Sequence, residues 1–242
     1  IGGICGYDTG GNILECYAEP TISLGGGSGY AGGICGIMTG TQAYKCATGG
    51  NITASTSGTS YTGGICALSQ SAVLYNSLST TNLRTEADSG YTGGICGFAS
   101  EANVQNTYST GTIIAASQVA AGGICGFAEN GFIMQNVALN PAINGGVSIG
   151  SIVGDADLCA IYDNYYSEKL LINGTHLQGS NISGTAKTLA ALRSMDFYTR
   201  PLVSGGQLGW DADTWKPGTG GYAFPHLSGV FGMERLTMPK YK

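Results

Sequence analysis

The side chains able to do chemistry are few, and cysteines stand out first. Five of the eight cysteines close the tetrapeptide Gly-Gly-Ile-Cys, at Cys5, Cys35, Cys66, Cys96 and Cys125. The steps between them are 30, 31, 30 and 29 residues. No Cys-x-x-Cys pair occurs, and His176 and His226 lie far along the chain from most cysteines, so neither a zinc site nor a dithiol redox motif is indicated. Carboxylates come next. Translated by the repeat, Glu129 falls beside Asp155 and Asp157, a candidate cation site, with Glu101 one repeat earlier. His-Glu-x-x-His and Gly-x-Ser-x-Gly are both missing from the sequence, which leaves no zinc-protease or serine-hydrolase motif. Aromatic rings supply the third kind of chemistry, since they can pack against a sugar or a protein partner. Tyr30, Tyr61 and Tyr91 each stand five residues before a repeat cysteine, and Trp210 and Trp215 are the two tryptophans. These five are the candidate binding residues. No catalytic residue and no cofactor is assigned.

These side chains are positioned by a repeat. A fixed period near thirty residues marks a solenoid or propeller. Ile13, Ala43, Leu74, Val104 and Met134 follow the cysteines by eight residues, the last with one insertion. Ile22, Ile52, Leu83, Ile113 and Ile143 follow by seventeen, with the same insertion. Each apolar segment is too short for a helix, and Gly, Ser, Thr or Asn bounds it. The pattern predicts an all-β chain: a right-handed parallel β-helix with three short strands per rung, stacked about 4.8 Å apart. The tyrosines would form a ladder, and Asn76, Asn106 and Asn136 would align as stacked amides. Parallel Cβ vectors disfavour disulfides along the cysteine column, so buried free thiols are expected.

Composition agrees with a repeat. The chain has 242 residues and 42 glycines but only 10% charged residues, with net charge −5. Thirty of those glycines and only nine charged residues lie in 1–150. Glycine without a Gly-X-Y period is not collagen, and the many aliphatic and tyrosine residues oppose disorder. No basic cluster is present to hold a phosphate backbone, so nucleic acid is not an expected partner. No apolar run is long enough for a transmembrane helix. The composition shift divides the chain into repeats over 1–165 and a C-terminal segment over 166–242. That segment is expected to cap the last rung with Phe197, Trp210, Trp215, Tyr222 and Phe224, and to hold a short helix near 185–195 with Thr185 or Thr188 as N-cap. The first Gly-Gly-Ile-Cys stands at residues 2–5, inside a repeat. This reads as a piece of a longer chain with an outer-membrane anchor upstream.

The Gly-Gly-Ile-Cys-Gly segments, with Glu15-Cys16-Tyr17, Lys45-Cys46-Ala47 and Asn106-Thr107-Tyr108, resemble the GLUG repeat family. That motif reads roughly Gly-Gly-Leu-Val-Gly followed by an Asn-Cys-Tyr segment. The likeness is close in the first part, looser in the second, and covers about residues 1–165. It implies a secreted or cell-surface bacterial protein, as in gut Bacteroidetes chains labelled adhesin or immunoglobulin A1 protease. It carries no catalytic residue across. The expected function is a non-catalytic module that binds a host or bacterial surface glycan or protein. The alternatives are a polysaccharide-acting enzyme resembling a pectinase and an accessory region of an immunoglobulin A1 protease.

Overall fold

The computed structural model describes residues 1–176, 184–200, 208–219 and 222–241. The chain coils into a parallel β-solenoid of about six turns. Its strands form four faces. The first face stacks six strands, from Cys5–Thr9 to Val153–Asp157, and the second six, from Asn12–Leu14 to Ala160–Tyr162. The third stacks seven, from Tyr17–Ala18 to Thr185–Lys187. The fourth is the broadest, with the continuous strands Asn51–Gly63 and Asn82–Gly93 at its centre. Each turn therefore carries a third-face strand that the three-strand expectation lacks. Most of its members are only two residues long, such as Ala47–Thr48 and Leu78–Ser79. So short a strand leaves no periodic signal.

The repeated tetrapeptide makes the corner between the fourth and first faces. The Ile34 and Cys35 amides both donate to the Ile65 carbonyl, at 2.8 and 3.1 Å, and the next turn repeats this with Ile65, Cys66 and the Ile95 carbonyl. One carbonyl serving two donors replaces the alternation of a regular strand. Consecutive Ile and Cys side chains therefore both point inward and are fully buried. The two glycines are required here. A Cβ on Gly63 would collide with the Cys66 carbonyl, and one on Gly94 with the carbonyl of Gly123 in the next turn. Two further corners turn through single left-handed residues. Glu15, Lys45, Asn76, Asn106, Gln135 and Asp163 make one of them, with φ between 48° and 58°.

Inside the coil, Ile34, Met38, Leu74, Ile95, Ile133 and their neighbours form a dry column. Register corrects one expected apolar alignment and keeps the other. Val104 pairs with Ile133, not Met134, and Ile113 pairs with Ile143. The inserted residue thus lies after Val137–Ala138 rather than early in the turn. Asn136 consequently leaves the Asn76 column and joins Cys16, Cys46, Ser77, Thr107 and Asn164. There it builds a buried ladder: Thr107 N donates to Asn136 Oδ1 (3.0 Å), and Asn136 N to Asn164 Oδ1 (3.0 Å).

A second core lies outside the coil. The outer side of the third face offers Ala47, Leu78, Tyr108, Val137 and Tyr165, and the C-terminal segment packs Tyr198, Trp210, Trp215, Phe224 and Leu227 against them. This corrects the expectation of an end cap. Phe197 meets Tyr165 in the sixth turn at 5.1 Å between ring centroids. The Trp210 indole N–H reaches the Gln135 carbonyl in the fifth turn (3.0 Å), Trp215 reaches Asn76 Oδ1 in the third (3.1 Å), and Gly232 lies against the Tyr17 ring in the first. The segment is a lateral clasp spanning the coil. Its described helical elements are two short α-helices, α1 (Leu189–Leu192) and α2 (Met195–Thr199), and a 3-10 turn at Met233–Arg235. Thr188 caps α1, its hydroxyl accepting from Ala191 N at 3.2 Å, whereas Thr185 belongs to a strand. Among the described residues no helix is long and apolar enough to cross a membrane.

Candidate functional site

The three predicted tyrosines come together. Tyr30, Tyr61 and Tyr91 are in register on adjacent strands of the fourth face. Tyr30 and Tyr61 stack with centroids 4.8 Å apart and planes 10° apart, and Tyr61 and Tyr91 lie 5.7 Å apart at 52°. Phe98 and Phe127, two residues after their cysteines, extend the same strip: Tyr61 to Phe98 is 5.9 Å and Tyr91 to Phe127 is 4.9 Å. The signal for them was in the sequence, since Tyr7, Ile37, Leu68, Phe98 and Phe127 share one column. The Tyr30 and Tyr61 faces are spent on each other along the coil axis. That half of the strip therefore offers a partner ring edges and phenol groups more than flat faces. Burial pushes the Tyr61 phenol above its ordinary value, and the Tyr30 and Tyr91 phenols beside it push it further.

The strip runs into the carboxylates. Burial first, then Asp155 and Glu129, push the Tyr91 phenol up. Phe127 pairs with Asp155, and Glu129 with Asp157, so the predicted acids do share one edge. Glu129 accepts from Ser100 Oγ at 2.8 Å, and Asp155 Oδ1 takes its own neighbour's amide, Ala156 N, at 2.9 Å. Both aspartates are exposed. Among the described residues no three His, Cys, Asp or Glu side chains converge in a way that would hold a metal ion.

Trp210 and Trp215 belong to neither group. They are 1% and 0% exposed and lie against each other with ring centroids 4.5 Å apart and planes tilted by 33°. Each indole N–H is consumed by the solenoid, so no ring face is left for a sugar. Asp211, between them, is a turn carboxylate. It accepts from Thr214 Oγ1 (2.7 Å), Thr214 N and Asp213 N, and the Thr214 hydroxyl and Asp213 amide hold its carboxyl below the usual range. His226 is partly buried in the clasp, which lowers its pKa, and His176 is exposed.

The cysteines are all free thiols, five of them buried. Cys66 Sγ lies 3.5 Å from Cys96 Sγ. Burial pushes the Cys35 and Cys46 thiols up to about 12 and moves Cys66 and Cys125 the same way. A buried thiol held neutral is a poor nucleophile and a poor metal ligand. Cys96 is the exception: burial pushes its thiol up, but hydrogen bonds with the Cys125 and Cys66 thiols outweigh this and lower it to about 5. With no exposure to solvent at Cys96, the column is packing.

Sequence reasoning passed over the outer side of the fourth face. Asn51, Thr53, Ser55 and Ser57 stand beside Asn82, Arg84 and Glu86, with inward residues alternating between them. Asn82 Nδ2 donates to Asn51 Oδ1 (3.2 Å), and Asn82 Oδ1 accepts from Thr112 N (3.0 Å). Arg84 Nε donates to Glu86 Oε1 at 2.9 Å, and this contact holds the Glu86 carboxyl below the usual range. The surface is a grid of amides and hydroxyls in fixed rows with its charges paired. The sequence signal was the strand-period alternation over 51–57 and 82–88, hidden among the turn residues Ser, Thr and Asn.

No protein-family model matches the chain, and no curated protein matches it. One solved structure does. It is a putative immunoglobulin A1 protease from Bacteroides ovatus, 20% identical, with a TM-score of 0.60 over 90% of this chain and 75% of the other. At that identity the likeness is one of fold.

Proposed function

We propose that this chain is a non-catalytic extracellular binding module whose fourth face and adjoining tyrosine strip hold a glycan. The observation that carries the reading is the outward grid of Asn51, Thr53, Ser55 and Asn82, pre-ordered by bonds between turns. Fixed donors and acceptors cost little to order when a hydroxyl-rich ligand binds. The Tyr30–Tyr61–Tyr91 edge borders that grid in the same sheet and adds an amphipathic rim. The outward Glu129, Asp155 and Asp157 flank the strip rather than line a cleft, which favours binding over hydrolysis. An extracellular setting is supported by the resemblance to surface-protein repeats. The fold neighbour, by name a putative immunoglobulin A1 protease, fits the same setting.

The test is a glycan array probed with the native protein, followed by titration of the hits against Ser55→Trp and Tyr61→Ala. Both variants should weaken binding by about tenfold, the equivalent of ~1.4 kcal/mol. Hits that neither variant weakens would place the glycan elsewhere. A reducing-end assay on polygalacturonate supplies the other arm. Turnover that Glu129→Gln or Asp157→Asn abolishes would overturn the non-catalytic reading.

A further inference from the structure

A groove runs where the clasp's last residues lie over the solenoid, and it consists of two adjoining cavities. One, of about 230 Å³, is walled by Thr80, Asn82, Thr110 and Thr112 on the coil and by Thr237 and Met238 on the clasp. The other, of about 250 Å³, is walled by Ala142, Asn144, Leu171 and Gly174. Thr112, Pro141 and Lys240 line both. Together they approach the size of an ordinary small-ligand site.

The groove is chemically divided. Its first half is rimmed by hydroxyls and an amide in rows repeated from turn to turn, and its second half is largely apolar. A saccharide has the same two characters, with hydroxyl edges and an apolar ring face. Lys240 stands at the junction. It is exposed and makes no ion pair among the described residues. Most other described cations are engaged. Lys45, Arg84, Arg200, Lys216 and Arg235 pair with carboxylates, while Lys187 and Arg193 lie over aromatic rings.

Lys240 is also held in place from both sides. Met238 Sδ accepts from Ala223 N at 3.1 Å, and Tyr241 Oη donates to the Leu139 carbonyl at 2.7 Å. Pro239 between them has a fixed φ and no N–H to satisfy. The backbone that carries the ammonium is therefore fixed over the groove before any ligand arrives. In a chain of net charge −5, an uncommitted cation over a hydroxyl-lined groove selects one ligand charge.

From this geometry we infer that the groove binds an anionic saccharide, with Lys240 on its carboxylate or sulfate and the Thr80–Thr112 wall on its hydroxyls. The inference rests on the reading of the chain as a glycan-binding module and names the class of sugar. It is tested by calorimetric titration of the native chain with three oligosaccharides: an oligogalacturonate, a sulfated galactan oligomer and a neutral galactan oligomer. The two anionic probes separate carboxylate from sulfate as the recognised group. Native protein should bind at least one anionic probe about tenfold more tightly than the neutral one, a margin of ~1.4 kcal/mol, and raised salt should weaken that binding. Lys240→Gln should erase the margin, and Thr112→Trp, which fills the junction, should remove binding. Leu14→Ser, an exposed residue on the second face that lines neither cavity, should leave anionic binding unchanged.

Anionic binding that survives both Lys240→Gln and Thr112→Trp would overturn the assignment, as would equal affinity for charged and neutral probes. Anionic binding lost in Tyr61→Ala but kept in Lys240→Gln would overturn the groove and leave the fourth-face reading standing. Loss of both modes in their own variants would sustain both. No binding of any of the three probes would overturn the groove.

Discussion

The molecule has two hydrophobic cores, built by opposite means. The one inside the coil is made by repetition. The middle turns each contribute an Ile, a Cys and a few other side chains to columns that continue above and below. A side chain there is covered by its own equivalents, so small residues and free thiols suffice. The one outside the coil is made by a unique sequence. Tyr108, Leu78 and Val137 on the third face are covered by Trp210, Trp215, Phe224 and Tyr198, none of which recurs. Large aromatic residues with satisfied hydroxyl and N–H groups do there what stacking does inside. An apolar outer face that the coil's own turns do not cover must borrow its cover from elsewhere in the chain.

If the clasp is a structural part of the fold, its removal should have the largest effect. A chain ending before Gly184 would bare the outer side of the third face, including Tyr108 and Tyr165. That is a contiguous apolar patch of the kind that drives association. Sedimentation should show aggregates, and the apolar dye ANS should bind strongly. A monomeric truncated chain with native circular dichroism would show that the coil's inner columns suffice alone.

Single side chains compare the two cores more finely. Trp215→Ala removes a fully buried ring and orphans Asn76 Oδ1, and should cost about 3–5 kcal/mol. Leu74→Ala, equally buried inside the coil, should cost about 2–5 kcal/mol. The informative result is the shape of the denaturation curve. If the cores unfold as one unit, both variants shift one midpoint without changing its slope. Two transitions in Trp215→Ala would show the clasp coming off first. Tyr108→Phe probes the clasp with a smaller change. The Tyr108 hydroxyl bonds Tyr222 Oη at 2.7 Å and the Pro225 carbonyl at 2.5 Å. Its loss leaves buried partners unpaired and should cost about 1–3 kcal/mol by urea denaturation.

The same division explains what the sequence disclosed. The coil was legible because Gly-Gly-Ile-Cys restates its register five times, and five aligned copies average out local noise. The tyrosine ladder was legible for the same reason. The two-residue third-face strands were not, since Ala47, Leu78, Tyr108 and Val137 differ in size and follow no periodicity. Missing that face meant missing the surface that needs a cover. The aromatic C-terminal residues were accordingly assigned to the coil's end, the one bare surface then visible. The late insertion near residue 140 misplaced Asn136 by one position, because Gln135 and Asn136 both carry an amide and either can continue an amide column. Only the bonds to Thr107 and Asn164 decide between them.

Alkaline pH separates the cores by the chemistry of their protons. Burial raises the Cys35 and Cys46 thiols to about 12 inside the coil, and raises the Tyr108, Tyr198 and Tyr222 phenols in the clasp. Each group is neutral when folded and releases its proton more readily when unfolded, near pH 8.5 for a thiol and about 10 for a phenol. The unfolded chain therefore binds fewer protons above those values, and stability falls as pH rises. Below about pH 8.5 the thiol contribution is fully present, and it is lost progressively as pH approaches 12. Urea midpoints measured from pH 7 to 11 should decline in two stages, thiols first. Cys35→Ala with Cys46→Ala should flatten the stage that begins near pH 8.5 and leave the later one. Tyr108→Phe should do the reverse. A decline that starts near pH 10 in both variants and in the parent would mean that the thiols inside the coil are not shielded as their burial requires.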